Sequence, residues 1–410
     1  MDLPNITDIS EAAHRIAGGV VRTRCHYSGA LSDITGCRVW VKPEYRQRTG
    51  SFKERGARNA LLRLPSDTEG VIAASAGNHA LALAWHARDL GIPVTVVMPR
   101  FAPMAKQGRC REYGARVLLH GDDIQQAKIL ADELVESERL TYVHGFDGFD
   151  VIAGQGTIGL EIAEDVPSAD AVIVPVGGAG LIAGVGLALK ERLPGCRVVG
   201  VEPSHAASFR DALDSGAPIS TQVRPTLADG LAVPTVGPRA FALARKVVDE
   251  LVIVDEESIA QAILRLIELE RGVVEGGGAS ALAALLGNNL PHLKGKEVVL
   301  ILCGGNIDPT VLGRVIEHAL VADGRLTRFQ VIISDRPGGL AKLTETIASS
   351  GASIKQIVHE RAFASADVST VEVDCVVETR DHEHSRGVIR ALTAAGFSCR
   401  RLAKFAINEV

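Results

Sequence analysis

The chain has 410 residues, 46% of them hydrophobic, enough to bury the cores of two or three domains. Its 44 Lys and Arg against 49 Asp and Glu leave a formal net charge of −5 with no basic stripe, so nucleic acid and anionic membrane are not expected partners. Seven scattered cysteines form no C-x-x-C pair, the N-terminus has no signal-like apolar stretch and no run reaches transmembrane length, so a reducing, cytoplasmic setting is expected.

From about Val20 to Leu320, strand-like and helix-like patterns alternate, which predicts a parallel α/β architecture. The first candidate site is Ser51-Phe52-Lys53-Glu54-Arg55-Gly56-Ala57. Ser51 and Glu54 read as an S-x-x-E capping box, which sets Lys53 in the first turn of a helix beside unpaired amide N–H groups. A cation is disfavoured there, so the amine pKa falls toward what a nucleophilic, Schiff-base lysine needs. A solvated surface lysine is the plain alternative.

Next comes the strand-like run Val71–Ala74, the turn Ser75-Ala76-Gly77-Asn78-His79, and a helical pattern. Further on, the run Ala171–Val176 leads into Gly177-Gly178-Ala179-Gly180 and a second helical pattern from Leu181. Each strand, tight turn and helix gathers backbone N–H groups at one point, an arrangement that binds phosphate or carboxylate. The pattern returns at Val298–Leu302 with Cys303-Gly304-Gly305-Asn306.

These four segments, in this order, resemble the fold-type II pyridoxal-phosphate (PLP) enzymes, most closely the serine/threonine dehydratases, or threonine ammonia-lyases. The resemblance runs over about residues 5 to 320 and also takes in Val151–Thr157 and Thr226–Gly230. It implies a two-domain, tryptophan synthase β-like fold in residues 1–322, with a smaller domain of about 48–150 inserted in the larger. It implies a carbon–nitrogen lyase that turns threonine, and serine, into 2-oxobutyrate or pyruvate and ammonia. A homodimer or homotetramer is implied as well.

By the same resemblance, Lys53 holds the cofactor covalently and then removes the substrate α-proton, with Phe52 beside the ring. Asn78 bonds the ring's phenolic oxygen, and Gly177, Gly178, Ala179, Gly180 and Leu181 hold the phosphate through main-chain N–H groups. Ala179 replaces a family glycine, and the turn is expected to survive only if this residue avoids positive φ. Ser75, Ala76, Gly77 and His79 receive the substrate carboxylate, although His79 reads equally well as a structural histidine. Glu275 lines the pocket. Cys303 faces the ring nitrogen, where a thiol cannot supply an acid's charge, which favours elimination over transamination. Glu202, Ala206 and Ser208 match a cation site of some relatives, without its aspartate, so a divalent ion, a monovalent ion or none is open.

Three other readings stand beside this one. Racemising relatives carry a serine where this chain has Ala76, so serine racemase is the nearest alternative. Gly178-Ala179-Gly180-Leu181-Ile182-Ala183 satisfies G-x-G-x-x-A after a strand, with Glu202 ending the next one, which suits a NAD-dependent enzyme. A former enzyme kept as an amino-acid sensor is the third.

After the polar break Ala322-Asp323-Gly324-Arg325 the pattern changes. Residues 327–410 read as strand (Phe329–Ser334), helix (Leu340–Ser349), two strands (Ile354–Arg361, Thr370–Glu378), helix (Glu383–Ala395) and strand (Ser398–Leu402). This βαββαβ order, opened by the turn Asp335–Leu340, resembles an α+β, ferredoxin-like ACT regulatory domain. The resemblance implies an amino-acid effector held near Pro337, Gly338, Gly339 and Leu340. A module that only dimerises is the alternative.

Overall fold

Val172-Ile173-Val174, Val198-Val199 and Val298-Val299-Leu300-Ile301 are apolar on both faces, a pattern that only a parallel sheet covered on both sides can bury. All lie in the core of the computed structural model, which describes residues 1–360 and 369–401. The chain divides into two units, Met1–Asp308 and a second from Pro309 onward.

The strands of the first unit are β1 (His26–Tyr27), β2 (Arg38–Lys42), β3 (Val71–Ala74), β4 (Val94–Met98), β5 (Arg116–Leu119), β6 (Thr141–Tyr142), β7 (Ala171–Pro175), β8 (Arg197–Pro203), β9 (Glu250–Val254) and β10 (Glu297–Ile301). Six of them form a sheet in the order β1-β2-β10-β7-β8-β9, parallel except at the β1–β2 edge. The intervening β3 to β6 make a separate parallel sheet, β5-β4-β3-β6. It falls inside the stretch 48–150 where the smaller domain is expected.

Helix Lys53–Leu61 starts just before the second sheet and sets where the lysine sits. It lies unusually close to helix Phe149–Asp165: a Cβ on Gly154 would stand 2.7 Å from both Arg55 O and Gly56 Cα. The expected capping box does not form. The residue before the helix is Phe52, with no side-chain cap, and Ser51 Oγ has no hydrogen-bond partner. Ser51 instead bridges Gly304 in an antiparallel pair, and Phe52 N donates to Cys303 O at 3.0 Å. That pairing pulls Ser51 into extended backbone. Glu54 turns away to accept hydrogen bonds from Thr49 N and, at 3.2 Å, from His86 Nε2.

One turn into the same helix, the fully buried Arg55 guanidinium meets Glu44 (Nη2–Oε1 2.8 Å, Nε–Oε2 2.9 Å) and Glu161 (Nη1–Oε1 2.7 Å). Buried Lys42, on β2, pairs with Glu161 at 2.5 Å and also donates to Thr23 O. Two cations face two carboxylates, so the charge closes on itself. Despite the burial of both groups, the attraction holds the Glu44 carboxyl below its usual range and the guanidinium above its own.

The second unit begins with helix Pro309–Ala322, which packs on β11 (Leu326–Ser334). The units therefore part at Asp308, fourteen residues ahead of the polar break that the sequence suggests (322 − 308 = 14). Helix Gly339–Ser349, β12 (Ser353–Glu360), β13 (Thr370–Glu378), helix His382–Ala394 and β14 (Ser398–Arg401) follow, within a residue or so of the expected spans. The sheet runs β12-β13-β11-β14, wholly antiparallel, the order of a ferredoxin-like split βαβ. Phe329, Val331 and Ile333 alternate inward against Leu343, Ile347, Val388 and Leu392. Arg361 and Leu402, the expected strand ends, lie outside the described residues.

Removing the buried guanidinium leaves two carboxylates facing one lysine. Arg55→Ala is therefore expected to lower the unfolding free energy of the first unit by about 3–5 kcal/mol in urea denaturation. A loss under about 1 kcal/mol would show that the cluster is not holding the helix.

Candidate active site

The C-terminal ends of β3, β7 and β10 face one cavity of about 570 Å3. A space of that size suits a small organic cofactor with its substrate. Its wall includes every residue that the sequence proposes for cofactor and substrate: Phe52, Lys53, Ser75 to His79, Gly177 to Leu181, Glu275 and Cys303.

Lys53 Nζ stands 5.1 Å from the Phe52 ring centroid and donates to Gly145 O at 2.6 Å. Burial lowers its pKa to about 8, against the opposing pull of Cys303 and Glu275. The lowered pKa agrees with the sequence reading, but its main cause is desolvation rather than the helix N-terminus. Cys303, two residues past β10, is buried, and its thiol is pushed far above the usual range, so it stays protonated. Burial, reinforced by Asp229, raises Glu275 to about 7.

Asn78 opens helix Asn78–Leu90 and donates from Nδ2 to Glu275 Oε1 at 2.7 Å. Its Oδ1 accepts from Asn306 Nδ2 at 2.9 Å, and Asn306 N donates to Glu275 Oε2 at 3.1 Å. Asn306 also reaches Thr49 O at 2.6 Å, which ties the lysine loop to the asparagine loop. The sequence reading names Asn306 as the end of a turn but gives it no role. Gly145 and its neighbours His144 and Phe146, which also line the cavity, are missed entirely. The only available signal was their place just ahead of Val151–Thr157.

The turn after β7 presents the N–H groups of Gly177, Gly178, Ala179, Gly180 and Leu181, and none of these has an acceptor among the described residues. Helix Gly180–Arg192 begins there, so its N-terminal field adds to the donors. Ala179 takes φ +67°, contrary to the expectation that it must avoid the left-handed region. Its methyl group sits in the core, at 2% exposure, and the fixed strand and helix on either side hold a conformation that costs an L-residue about 1–2 kcal/mol. The flanking glycines are needed for space. A Cβ on Gly178 would meet the Phe146 ring at 2.3 Å, and one on Gly180 would meet Phe146 O at 2.1 Å.

In the loop after β3, Ser75 Oγ accepts from Gly77 N at 3.3 Å, leaving the first N–H groups of helix Asn78–Leu90 without helical partners. His79 Nε2 bonds Val143 O at 2.9 Å, while burial, with the Lys53 charge, lowers its pKa to about 3. The ring is thus a neutral part of the wall, and the backbone N–H of His79 is what the loop can offer an anion.

Glu202, next to last in β8, lies away from the cavity wall, and its carboxyl, raised to about 8 by burial, accepts from Phe209 N (2.7 Å) and Arg210 N (2.9 Å) at the start of helix Ser208–Ser215. No group of three or more His, Cys, Asp or Glu among the described residues is placed to hold a metal. With Ala206 and Ser208 beside it, Glu202 caps that helix, so the acid that the NAD reading assigns to a ribose is already engaged. Pro337 to Leu340 lie in the second unit, where Gly338 takes φ +95° and helix Gly339–Ser349 starts.

An amine of lowered pKa, five unpaired N–H groups at a helix start, a neutral thiol and a cavity of this volume fit PLP in its covalent and anionic parts alike. Residues 16–304 match the family described as pyridoxal-phosphate dependent enzyme, and the chain belongs to that family. Its cofactor is pyridoxal 5′-phosphate. Among curated relatives, the L-threonine ammonia-lyases of Thermotoga maritima and Geobacter sulfurreducens are each 42% identical to it, over 96% and 95% of this chain and 98% of each relative. Maize serine racemase superposes with a TM-score of 0.73 at 33% identity, covering 78% of this chain and 99% of that one. The processed form of threonine deaminase isoform 2 from Solanum lycopersicum gives 0.73 at 36%, covering 77% and 87%.

The lysine makes a pH prediction. Only the neutral amine attacks an aldehyde, so the rate at which cofactor-free protein takes up PLP should rise with pH, with a midpoint near 8, and flatten above it. The same depression means that the unfolded chain binds more protons between pH 8 and 10.5, so this group's contribution to cofactor-free stability rises across that window. An uptake midpoint near 10.5, followed by stopped-flow absorbance, would contradict the desolvated lysine.

Proposed function

We propose that the chain is an L-threonine ammonia-lyase that also accepts serine, with the second unit acting as an ACT-type module that binds an amino-acid effector. The enzyme is a carbon–nitrogen lyase. The observation that carries the substrate reading is the pairing of Lys53 with Ala76 in one cavity: one amine base, and at position 76 a methyl group that carries no proton. A racemase needs a proton carrier on the second face of the substrate, so Ala76 weighs against that reading despite the likeness to maize serine racemase. The lowered pKa of Lys53 weighs against a sensor, which has no use for a base.

When bound, PLP supplies the electron sink that makes the substrate Cα–H acidic. The N–H groups of Gly177 to Leu181 would hold its phosphate, and Asn78, oriented by Glu275 and Asn306, would bind at its ring. The N–H groups at the start of helix Asn78–Leu90 hold the substrate carboxylate. Lys53 would take the proton from Cα and deliver it to the departing β-hydroxyl, so that water leaves and the amine is neutral again. The dehydrated product takes water back and releases ammonia and the 2-oxo acid. Cys303 remains a neutral thiol throughout, so no carboxylate charge builds up against the ring nitrogen.

The effector reading is supported by the antiparallel βαββαβ unit and by the backbone N–H groups that a helix start offers near Gly338 and Gly339. Association into a dimer or tetramer belongs to the same proposal, and Glu202 stays a cap with no cation required.

Purified protein given L-threonine should form 2-oxobutyrate, and given L-serine should form pyruvate without D-serine. Lys53→Ala should lose at least about 10³-fold in turnover while keeping its fold by circular dichroism. Free isoleucine or valine in the same assay should shift the substrate dependence. Near-normal turnover by Lys53→Ala rejects the lyase mechanism, and an unchanged rate across the panel of amino acids rejects the effector role.

A further inference from the structure

His144 follows β6 and lines the cavity, two residues from the Phe146 ring that shapes the phosphate turn. Its Nδ1 accepts two backbone hydrogen bonds, from Phe146 N at 3.3 Å and Asp147 N at 2.9 Å. With both donors on Nδ1, the proton of the neutral ring must sit on Nε2. No acceptor among the described residues takes that N–H. The ring is clamped edge-to-face against Phe146 (centroids 4.5 Å) and packs near Tyr142 (6.0 Å). The next residue along is Gly145, whose carbonyl holds the Lys53 amine. A fixed N–H donor and the base are thus supported by adjacent residues of one loop.

We propose that His144 is a catalytic hydrogen-bond donor whose Nε2–H grips the β-hydroxyl of the substrate as it leaves, which selects hydroxy-amino acids. The proposal rests on the lyase reading above. Burial, with the charges of Lys53 and Lys128, lowers the ring's pKa to about 4, so the group is a neutral donor at working pH. It therefore transfers no proton of its own and serves as a preorganised dipole aimed at developing charge on oxygen. The other cavity-wall histidine, His79, has already spent its Nε2 on Val143 O and cannot take this part.

The test is His144→Asn. An asparagine carbonyl at this position can still accept from the N–H groups two and three residues on, as in an Asx turn, so the loop is kept while the reaching N–H is removed. Two substrates separate the outcomes: L-threonine, whose β-hydroxyl is a poor leaving group, and β-chloro-L-alanine, whose chloride leaves without a hydrogen-bond donor. The variant is expected to load PLP normally, to lose about 10²-fold or more in kcat/KM on threonine, and to stay within about threefold of the parent on β-chloroalanine. Equal losses on both substrates, or no loss on threonine, overturn the proposal. A parent enzyme inactive on both substrates would instead reject the lyase reading itself. Should the variant fail to fold or load, the 15N spectrum of histidine-labelled parent enzyme decides the matter, since a His144 ring protonated on Nδ1 rather than Nε2 excludes the role.

Discussion

The buried cluster of Arg55, Glu44, Glu161 and Lys42 is the constraint on which the rest of the first unit depends. It joins two elements close in sequence, the end of β2 with the turn that follows and the start of the lysine helix, to helix Phe149–Asp165, about a hundred residues further on. An ion cluster of this kind adds little net stability compared with a well-packed apolar core, but the cost of breaking one member is high, so it fixes position. Here the position fixed is that of Lys53, two residues before Arg55. The Ser51–Gly304 bridge and the Phe52 N to Cys303 O bond then set the lysine and the thiol at one end of the cavity.

Desolvation sets the chemical character of the site more than any ion pair does. Lys53 is lowered, and Glu275 and Cys303 are raised, with burial the largest cause in all three. A site poised near neutrality suits a reaction in which one amine must accept a proton and later return it. The net of Asn78, Glu275 and Asn306 supplies orientation: both Glu275 oxygens accept N–H bonds, and burial raises the carboxyl to about 7, so less negative charge stands beside the lysine than an ordinary glutamate would place there.

Much of this was legible in the sequence because it is local. Continuous apolar strands ending in glycine turns mark the loops that line the cavity, and period-2 alternation places β13 to the residue and β11 from its fourth residue onward. What the sequence hid comes from long-range contact. Ser51 looks like a helix cap until Gly304, more than 250 residues away, draws it into an extended pair. Asn306 meets Asn78 across 228 residues, and no spacing rule reports that. Ala179 was expected to need a negative φ on intrinsic preference alone, and the packing of the strand and helix around it overrides that preference. The polar break at Ala322–Arg325 is conspicuous in the sequence, whereas the packing of helix Pro309–Ala322 onto β11, which sets the division between the units at Asp308, leaves no compositional trace.

The central claim is that the cofactor is held by Lys53 and by no other amine near the cavity. Borohydride reduction of the purified holoenzyme, followed by proteolysis and mass mapping, tests it directly. The account predicts a single pyridoxyl-phosphate adduct on the peptide carrying Lys53. Modification of Lys106 or Lys128 at the cavity wall, or no adduct in protein that retains its yellow colour, would contradict it.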